Sequence, residues 1–223
     1  MDKGQLYIVA TPIGNLKDIT LRALDILKSA NLILCEDTRV TMKLLNHFEI
    51  KNRVLSYHQH SDFKKTGEII DLLKQGKRIA LVCDAGTPGI SDPGGKLIEE
   101  IITSDIADVI PIPGPSALTA AISISGISMD KLVFMGFPPM KNKRNKYFEN
   151  INNLEYPVVL YESSHRILKT LKDLENIAKN PDIIVFRELT KVFETVYRGK
   201  AEDISEILKK EGPKGEFVVI IKK

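Results

Sequence analysis

Short apolar runs alternate with segments of helical periodicity five times in the first half of this 223-residue chain. A helix between two successive strands is a crossover connection, and crossovers join parallel strands. Repeated crossovers therefore predict a mainly parallel sheet with helices on both of its faces. In the first helix, expected over 20–30, Thr20 is the predicted N-cap. The predicted strands of this half are QLYIVA (5–10), NLILC (31–35), RVLSY (53–57), RIALVC (78–83) and ADVIPI (107–112).

Proline and glycine interrupt this alternation at PIPGPS (111–116), a composition typical of a linker or a rigid turn. The pattern of strands and helices then resumes. VFETVYRG (192–199) follows DIIVFRE (182–188) after too few residues for a crossover, so these two strands should pair antiparallel. We predict two α/β domains, residues 1–114 and residues 115–223, and a mixed sheet in the second.

Composition and charge exclude several classes of protein. The chain is 43% hydrophobic and 27% charged with a net charge of +3, which is ordinary for a globular protein. No uncharged apolar run approaches the length of a membrane helix, and the first residues lack the pattern of a secretory leader. Cys35 and Cys83 each end an apolar run, which predicts buried thiols rather than a disulfide framework. We therefore expect a cytoplasmic protein with no membrane partner.

Three loops poor in side chains follow predicted strands: TPIGN (11–15), DAGTPGISDPGG (84–95) and PIPGPS. Ligands of open α/β sheets gather at the carboxyl ends of the strands. The nucleotide fingerprints of dinucleotide-binding and P-loop proteins do not fit these loops. Their exposed main chain suits a flat heterocycle with a polar tail, and their prolines lower the ordering cost of binding. The alternative is that they are only tight turns.

Charged side chains follow three of the predicted strands, in CEDTR (35–39), YESSHR (161–166) and RELTK (187–191). Glu36 and Asp37 suit a general base or its orienting partner, or only a cap for the helix that follows. YHQHSD (57–62) resembles a metal site only superficially, and we predict no metal. No nucleophile elbow or reactive cysteine setting occurs, which favours chemistry carried by a cofactor.

A basic run, KNKRNK (141–146), holds four positive charges and no negative one. Such a run fits a polyanionic partner. The alternative is a solvated face, because charge runs often serve only solubility.

The motifs TPIGNLKDITLRAL, CEDTR, DAGTPGISDPG, PIPGPSA, FMGFP, YESSHR, RELTKVFE and KGEF occur in this order from residue 5 to about 221. Together they closely resemble the small-subunit ribosomal RNA cytidine 2′-O-methyltransferases of the tetrapyrrole-methylase-like superfamily. The resemblance implies two α/β domains with S-adenosyl-L-methionine bound in the cleft between them. It also implies a homodimer, and as substrate a cytidine in the decoding centre of 16S rRNA, presented as RNA or as the small ribosomal subunit.

The charged segments at the strand ends supply the candidate general bases, which are Glu36, Asp37, Glu162 and Lys191, and Arg39 is expected to hold a phosphate or the partner of the base. The residues implied for the methyl donor are Pro12, Gly14, Asp84, Gly86, Thr87, Pro88, Pro113, Gly114, Ser116 and Thr190. The candidate RNA-binding residues are Lys141, Lys143, Arg144, Lys146, His165 and Arg166.

Two other functions remain open at this point. A tetrapyrrole-ring methylase of the same fold requires a wide apolar cleft, whereas the strand ends of this chain carry many charges. A non-catalytic RNA-binding protein keeps the basic run but does not need the bare loops.

Overall fold

The computed structural model describes residues 3–58, 63–176 and 181–223, and the chain divides into two compact units, Met1–Ser116 and Ala117–Lys223. We call them the N-terminal unit and the C-terminal unit. The elements of the N-terminal unit are β1 (Gly4–Val9), α1 (Leu21–Ser29), β2 (Leu32–Cys35), α2 (Thr38–His47), β3 (Val54–Ser56), α3 (Phe63–Lys74), β4 (Arg78–Leu81), α4 (Gly95–Ser104) and β5 (Ala107–Ile112).

The sheet of the N-terminal unit has the strand order β3-β2-β4-β1-β5, and every neighbouring pair is parallel. Alternate strand residues point to opposite faces. Tyr7 and Val9 pack in a cluster with residues of α1 and α2, while Leu6 packs with residues of α3 and α4. The predicted parallel sheet with helices on both faces is confirmed.

Local sequence rules account for smaller features of this unit. Thr20 caps α1, since its Oγ1 accepts a hydrogen bond of 3.1 Å from the Ala23 amide. Cys35 and Cys83 are free, buried thiols, as predicted.

The elements of the C-terminal unit are α5 (Ala117–Ser123), β6 (Val133–Gly136), α6 (Arg144–Asn153), β7 (Val158–Ser163), α7 (Ile167–Glu175), β8 (Ile183–Arg187), β9 (Thr195–Gly199), α8 (Ala201–Glu211) and β10 (Glu216–Ile221). Its sheet has the order β6-β7-β10-β8-β9. The β6–β7 pair is parallel and the other pairs are antiparallel, including β8 with β9. The predicted mixed sheet is therefore confirmed.

One face of this second sheet packs against α6, α7 and α8. Helix α6 was not predicted, because its sequence is mostly polar and begins inside the basic run. Phe148 and Ile151, three residues apart, still give it a narrow apolar stripe that is buried in the core. Across the ranges 3–58, 63–176 and 181–223, no helix combines the length and the apolar character needed to cross a bilayer.

Candidate functional site

The loops that follow β1, β4 and β5 contact one another. Thr11 and Gly86 exchange two backbone hydrogen bonds, of 2.8 and 3.0 Å, and the Thr87 hydroxyl donates to the Pro115 carbonyl at 3.1 Å. The expectation that these loops share one sheet edge is confirmed. All predicted donor residues except Thr190 lie in them, namely Pro12, Gly14, Asp84, Gly86, Thr87, Pro88, Pro113, Gly114 and Ser116.

Glycine is required at two points of this loop cluster. Gly86 has φ +86°, a conformation that L side chains rarely adopt. A Cβ at Gly114 would lie 3.0 Å from the Ala10 Cβ, so the last loop approaches the end of β1 this closely only without a side chain. The cluster thus presents main chain where other residues would present bulk.

A cavity of about 180 Å³ opens beside these loops, next to the start of α2. Its volume is below that of a typical site for a drug-sized ligand, so by itself it has room for only part of such a molecule. Pro12 and Asp84 were predicted to contact a ligand, whereas the wall formed by α2 was not, because the sequence shows only its helical periodicity. The residues that line the cavity are Thr11, Pro12, Leu16, Val40, Thr41, Lys43, Leu44, Cys83 and Asp84.

Asp37 serves as the helix cap, the structural alternative considered for it. Its Oδ1 accepts from the Arg39 amide at 2.8 Å, and its Oδ2 pairs with Arg39 Nη2 at 2.6 Å. The hydrogen bonds from Arg39 lower the pKa of Asp37 to about 2. The Asp37 amide also donates to Asp84 Oδ1 at 3.0 Å, which ties the start of α2 to the loop after β4.

Three other carboxyl groups at this edge of the sheet have raised pKa values, in contrast to Asp37. Partial burial, with the negative charge of Asp84, raises the pKa of Glu36, and burial likewise raises the pKa of Asp84. Burial, reinforced by Glu36 and Asp84, raises the pKa of Asp92 to about 6. Glu36 is therefore the better proton acceptor of the CEDTR segment. Asp92 was not predicted, although it lies within the glycine-rich loop itself.

Glu162 is enclosed by protein groups. The residue is 1% exposed, and its carboxylate accepts a 2.6 Å bond from the Thr170 hydroxyl. Its other oxygen accepts from the Ser163 amide and pairs with Arg166 Nε at 3.0 Å. These donors hold Glu162 as an internal anchor, and this enclosure does not support the general-base role predicted for it.

Arg144 is also buried, contrary to the expectation of a four-residue surface patch. It is 4% exposed, and it donates to Asp173, to the Thr170 hydroxyl and to the Pro139 carbonyl. The side chain points inward because Arg144 is the first residue of α6 and lies close to α7. The other RNA-binding candidates with exposed positions are Lys141, Lys143, Lys146 and His165.

Lys191 is held by two carboxylates, Glu188 at 2.9 Å and Glu216 at 2.8 Å. Burial lowers the pKa of Lys191, but the hydrogen bonds to these two partners raise it overall. A lysine with a raised pKa stays protonated and does not accept a proton, so its role as a base is not supported.

Thr190 differs from its neighbours in having an unused polar atom. It adopts φ +65°, its amide donates to Glu194 Oε2 at 2.6 Å, and its Oγ1 is buried. Within the part of the chain that the structure describes, this hydroxyl has no hydrogen-bond partner. A buried hydroxyl without a partner is costly and suits a ligand contact.

Metal coordination gains no support from the described ranges. They contain no group of three or more histidine, cysteine, aspartate or glutamate residues that could hold a metal ion. Residues 59–62 of the YHQHSD segment lie outside the described residues.

Known proteins match this chain over nearly its whole length. The family model for Tetrapyrrole (Corrin/Porphyrin) Methylases matches residues 5–205. A ribosomal RNA small subunit methyltransferase I of Thermotoga maritima is 43% identical over 98% of both chains. A protein of the same name from Synechocystis sp. is 46% identical over 98% of this chain and 78% of its own length.

Solved structures match at much lower identity. A cobalt precorrin-4 methyltransferase of cobalamin biosynthesis is 19% identical with a TM-score of 0.71, covering 98% of this chain and 94% of its own. A diphthine synthase is 16% identical with a TM-score of 0.74, covering 99% and 90%. These likenesses show the fold alone.

The methyl donor of this family is S-adenosylmethionine, and the described residues fit such a group. In the N-terminal unit, the loops around Gly86 and Gly114 expose main chain without bulk. In the C-terminal unit, taken by itself, Thr190 keeps a buried hydroxyl without a partner among the described residues. The family match and the near-complete match to the curated relatives agree with this fit. The chain therefore belongs to the tetrapyrrole methylases and, within them, to the ribosomal RNA small subunit methyltransferase I proteins.

Proposed function

We propose that this protein methylates the RNA of the small ribosomal subunit, using S-adenosylmethionine, at the ribose 2′-oxygen of a cytidine in the decoding centre. One observation carries the RNA substrate: the 43% identity over 98% of both chains with a ribosomal RNA small subunit methyltransferase I. The solved methyltransferases whose names give other substrates, cobalt precorrin-4 and uroporphyrin-III, reach only 18–19%. The site of methylation on the nucleotide rests on the motif resemblance.

The N-terminal unit provides the elements that hold the donor. When bound, S-adenosylmethionine supplies an electrophilic methyl group, so the protein contributes mainly alignment. The loops carrying Gly86 and Gly114 offer backbone donors and acceptors, and the hydrogen bonds between the loops fix their positions before binding. Such preorganisation lowers the ordering cost of the complex.

Glu36 is the residue that we assign as the general base. A ribose hydroxyl must lose its proton during transfer, and a carboxylate with a raised pKa accepts a proton better than an ordinary one. Glu36 has this property, and it is partly exposed. Asp37 is acidified by Arg39, Glu162 is enclosed, and Lys191 is kept protonated.

The small ribosomal subunit or its 16S rRNA is the proposed partner, and the proposed location is the cytoplasm. The exposed lysines 141, 143 and 146 support a polyanionic partner. A homodimer, which the resemblance implies, belongs to the same proposal, and sedimentation equilibrium measures it directly.

A transfer assay with radiolabelled S-adenosylmethionine tests the proposed function. We expect label in small ribosomal subunits or their RNA and none in a porphyrinoid substrate, with the labelled nucleotide mapped to a cytidine ribose. Label in the porphyrinoid alone would establish a tetrapyrrole methylase. Calorimetry with S-adenosylmethionine is the complementary measurement, because a non-catalytic RNA-binding protein gives no heat.

The assignment of Glu36 has its own experiment. Glu36→Gln should lower kcat by about 10²-fold or more while the donor Kd stays unchanged, because general base catalysis contributes at least that much. The acid limb of the kcat–pH profile should also flatten. Glu99→Gln, an exposed glutamate on α4, is the matched control. Wild-type kcat in Glu36→Gln would reject Glu36 as the base.

A further inference from the structure

The loop between β6 and α6 exposes apolar side chains beside the basic run. Phe137 is 46% exposed and Met140 is 69% exposed, whereas Pro138 between them is buried. Exposed apolar side chains that occur together, rather than singly, mark a candidate interaction surface. The following steps concern the C-terminal unit only.

Two arginines fix the backbone of this loop. Arg166 Nη1 donates to the Pro138 carbonyl at 3.1 Å, and Arg144 Nη1 donates to the Pro139 carbonyl at 2.9 Å. Each arginine is itself anchored, Arg166 by Glu162 at 3.0 Å and Arg144 by Asp173 at 2.6 Å. The loop thus has a defined shape although it lies outside the sheet.

The ring of Phe137 is positioned by two neighbours. The Arg166 guanidinium lies 5.6 Å from the ring centroid, and Tyr161 makes an edge contact with centroids 5.6 Å apart at 62°. A cation over an aromatic ring and an edge-to-face pair are both favourable arrangements. Phe137 is therefore held in place while nearly half of its surface faces solvent.

The surrounding charge indicates what covers this surface. Residues 131–146 contain five basic side chains and no acidic one, and the lysines at 141, 143 and 146 are exposed. A partner must then combine negative charge with a flat apolar face. Single-stranded RNA does so, since its phosphates meet lysines while its bases stack on aromatic rings.

We propose that Phe137 is a stacking platform for an unpaired base of the substrate RNA, held in position by Arg144 and Arg166. The inference rests on the proposed RNA substrate and adds a contact that the proposed function does not require. The neighbouring lysines hold the phosphates on either side of the stacked base.

The absence of tryptophan from the chain allows a direct test. Phe137→Trp places a single fluorophore in the platform, and stacking on a base should quench its emission. Tyr156→Trp is the matched control, because Tyr156 is 39% exposed and has the Lys131 ammonium 5.4 Å from its ring centroid. Tyr156 precedes β7 whereas Phe137 follows β6, so the two lie at opposite ends of this parallel pair.

The titrant is a short single-stranded RNA, compared with an abasic oligonucleotide of the same length. We expect quenching only with Phe137→Trp and only with the RNA that carries bases. Phe137→Ala should bind this RNA on the order of 5- to 100-fold more weakly, while its affinity for the abasic strand stays unchanged.

Each other outcome overturns the inference and distinguishes it from the proposed function. Unchanged emission while RNA binds and methyl transfer proceeds rejects the platform and leaves the function standing. Absence of both RNA binding and transfer rejects both. Quenching by the purified proteins of the small subunit, without RNA, assigns the surface to a ribosomal protein. Emission that depends on protein concentration without RNA assigns it to a second copy of the chain.

Discussion

The loops after β1, β4 and β5 are joined mainly through their backbones, whereas the loops after β6 and β7 are joined through charged side chains that are buried or partly buried. In the first group Thr11 and Gly86 exchange main-chain hydrogen bonds. In the second group Glu162, Arg166 and Arg144 connect the segments. Backbone connections tolerate most side-chain changes but require certain glycines, while charged connections depend on the identity of a few residues.

Removal of Glu162 should have the largest effect on stability. Glu162→Ala leaves Arg166 and the Thr170 hydroxyl without their buried acceptor, so the free energy of unfolding should fall by about 3–5 kcal/mol. Chemical denaturation measures this loss. The control is Glu149→Gln, an exposed position on α6, for which we expect a change within about 0.5 kcal/mol. Equal stability of the two variants would remove the contrast between the loop groups.

Substitutions at two glycines of the long loop distinguish the effect of backbone strain on stability from the effect of a side chain on ligand binding. Gly86 and Gly89 have nearly equal φ angles, +86° and +85°, but a Cβ at Gly89 would meet nothing within 4 Å. Alanine at either position should cost about 1–2 kcal/mol of stability. Only Gly86→Ala should also weaken S-adenosylmethionine binding, by roughly tenfold on calorimetry, because its Cβ enters the loop cluster. Equal donor affinity in both variants would contradict the proposed cradle.

Asp92, in the loop after β4, should make the stability of the protein depend on pH. Its folded-state pKa of about 6 lies above the ordinary value of 3.8, so the folded protein keeps a proton that the unfolded chain has released. Its contribution to stability is therefore lost as the pH rises from about 4 to about 6. After allowance for partial exposure, Asp92→Asn should be about 1 kcal/mol more stable than the wild type at about pH 7 and equal to it near pH 4. Denaturation across this range measures the difference, and a pH-independent difference would contradict the assignment.

The exposed lysines should contribute least to stability and most to RNA affinity. Replacing Lys141, Lys143 and Lys146 together by alanine should leave the free energy of unfolding within about 0.5 kcal/mol. It should also reduce the slope of log Kd for RNA against log salt concentration by about 2, as loss of three phosphate contacts requires. Arg144→Ala, in the same run, should instead destabilise the fold because its partners are buried. An unchanged salt slope in the triple variant would show that the run is only a solvated face.

Sequence patterns predicted the backbone features of this fold well. The parallel sheet, the mixed sheet, the Thr20 cap and the meeting of three loops all follow from local periodicity or from the direction of parallel strands. Each of these features depends on residues close together in the chain, or on the rule that a helical crossover joins parallel strands.

The side-chain features were less accessible because their partners are distant in the chain. Arg144 binds Thr170 and Asp173, which are 26 and 29 residues away. The sequence KNKRNK does not show these partners, so by itself it resembles a solvated face. Glu162 looked like a candidate base because it ends a strand, but Thr170, eight residues later, encloses it. Asp92 gains its raised pKa from burial and from Glu36 and Asp84 across the sheet edge.

The buried thiol of Cys83 has a chemical consequence for a protein that handles a methylating agent. Cys83 lines the cavity beside the donor loops, and burial raises the pKa of its thiol. Thiolates attack electrophilic carbon, whereas protonated thiols are poor nucleophiles. A protonated thiol beside the loops proposed to hold S-adenosylmethionine is a poor acceptor for its methyl group, so we expect no transfer to Cys83.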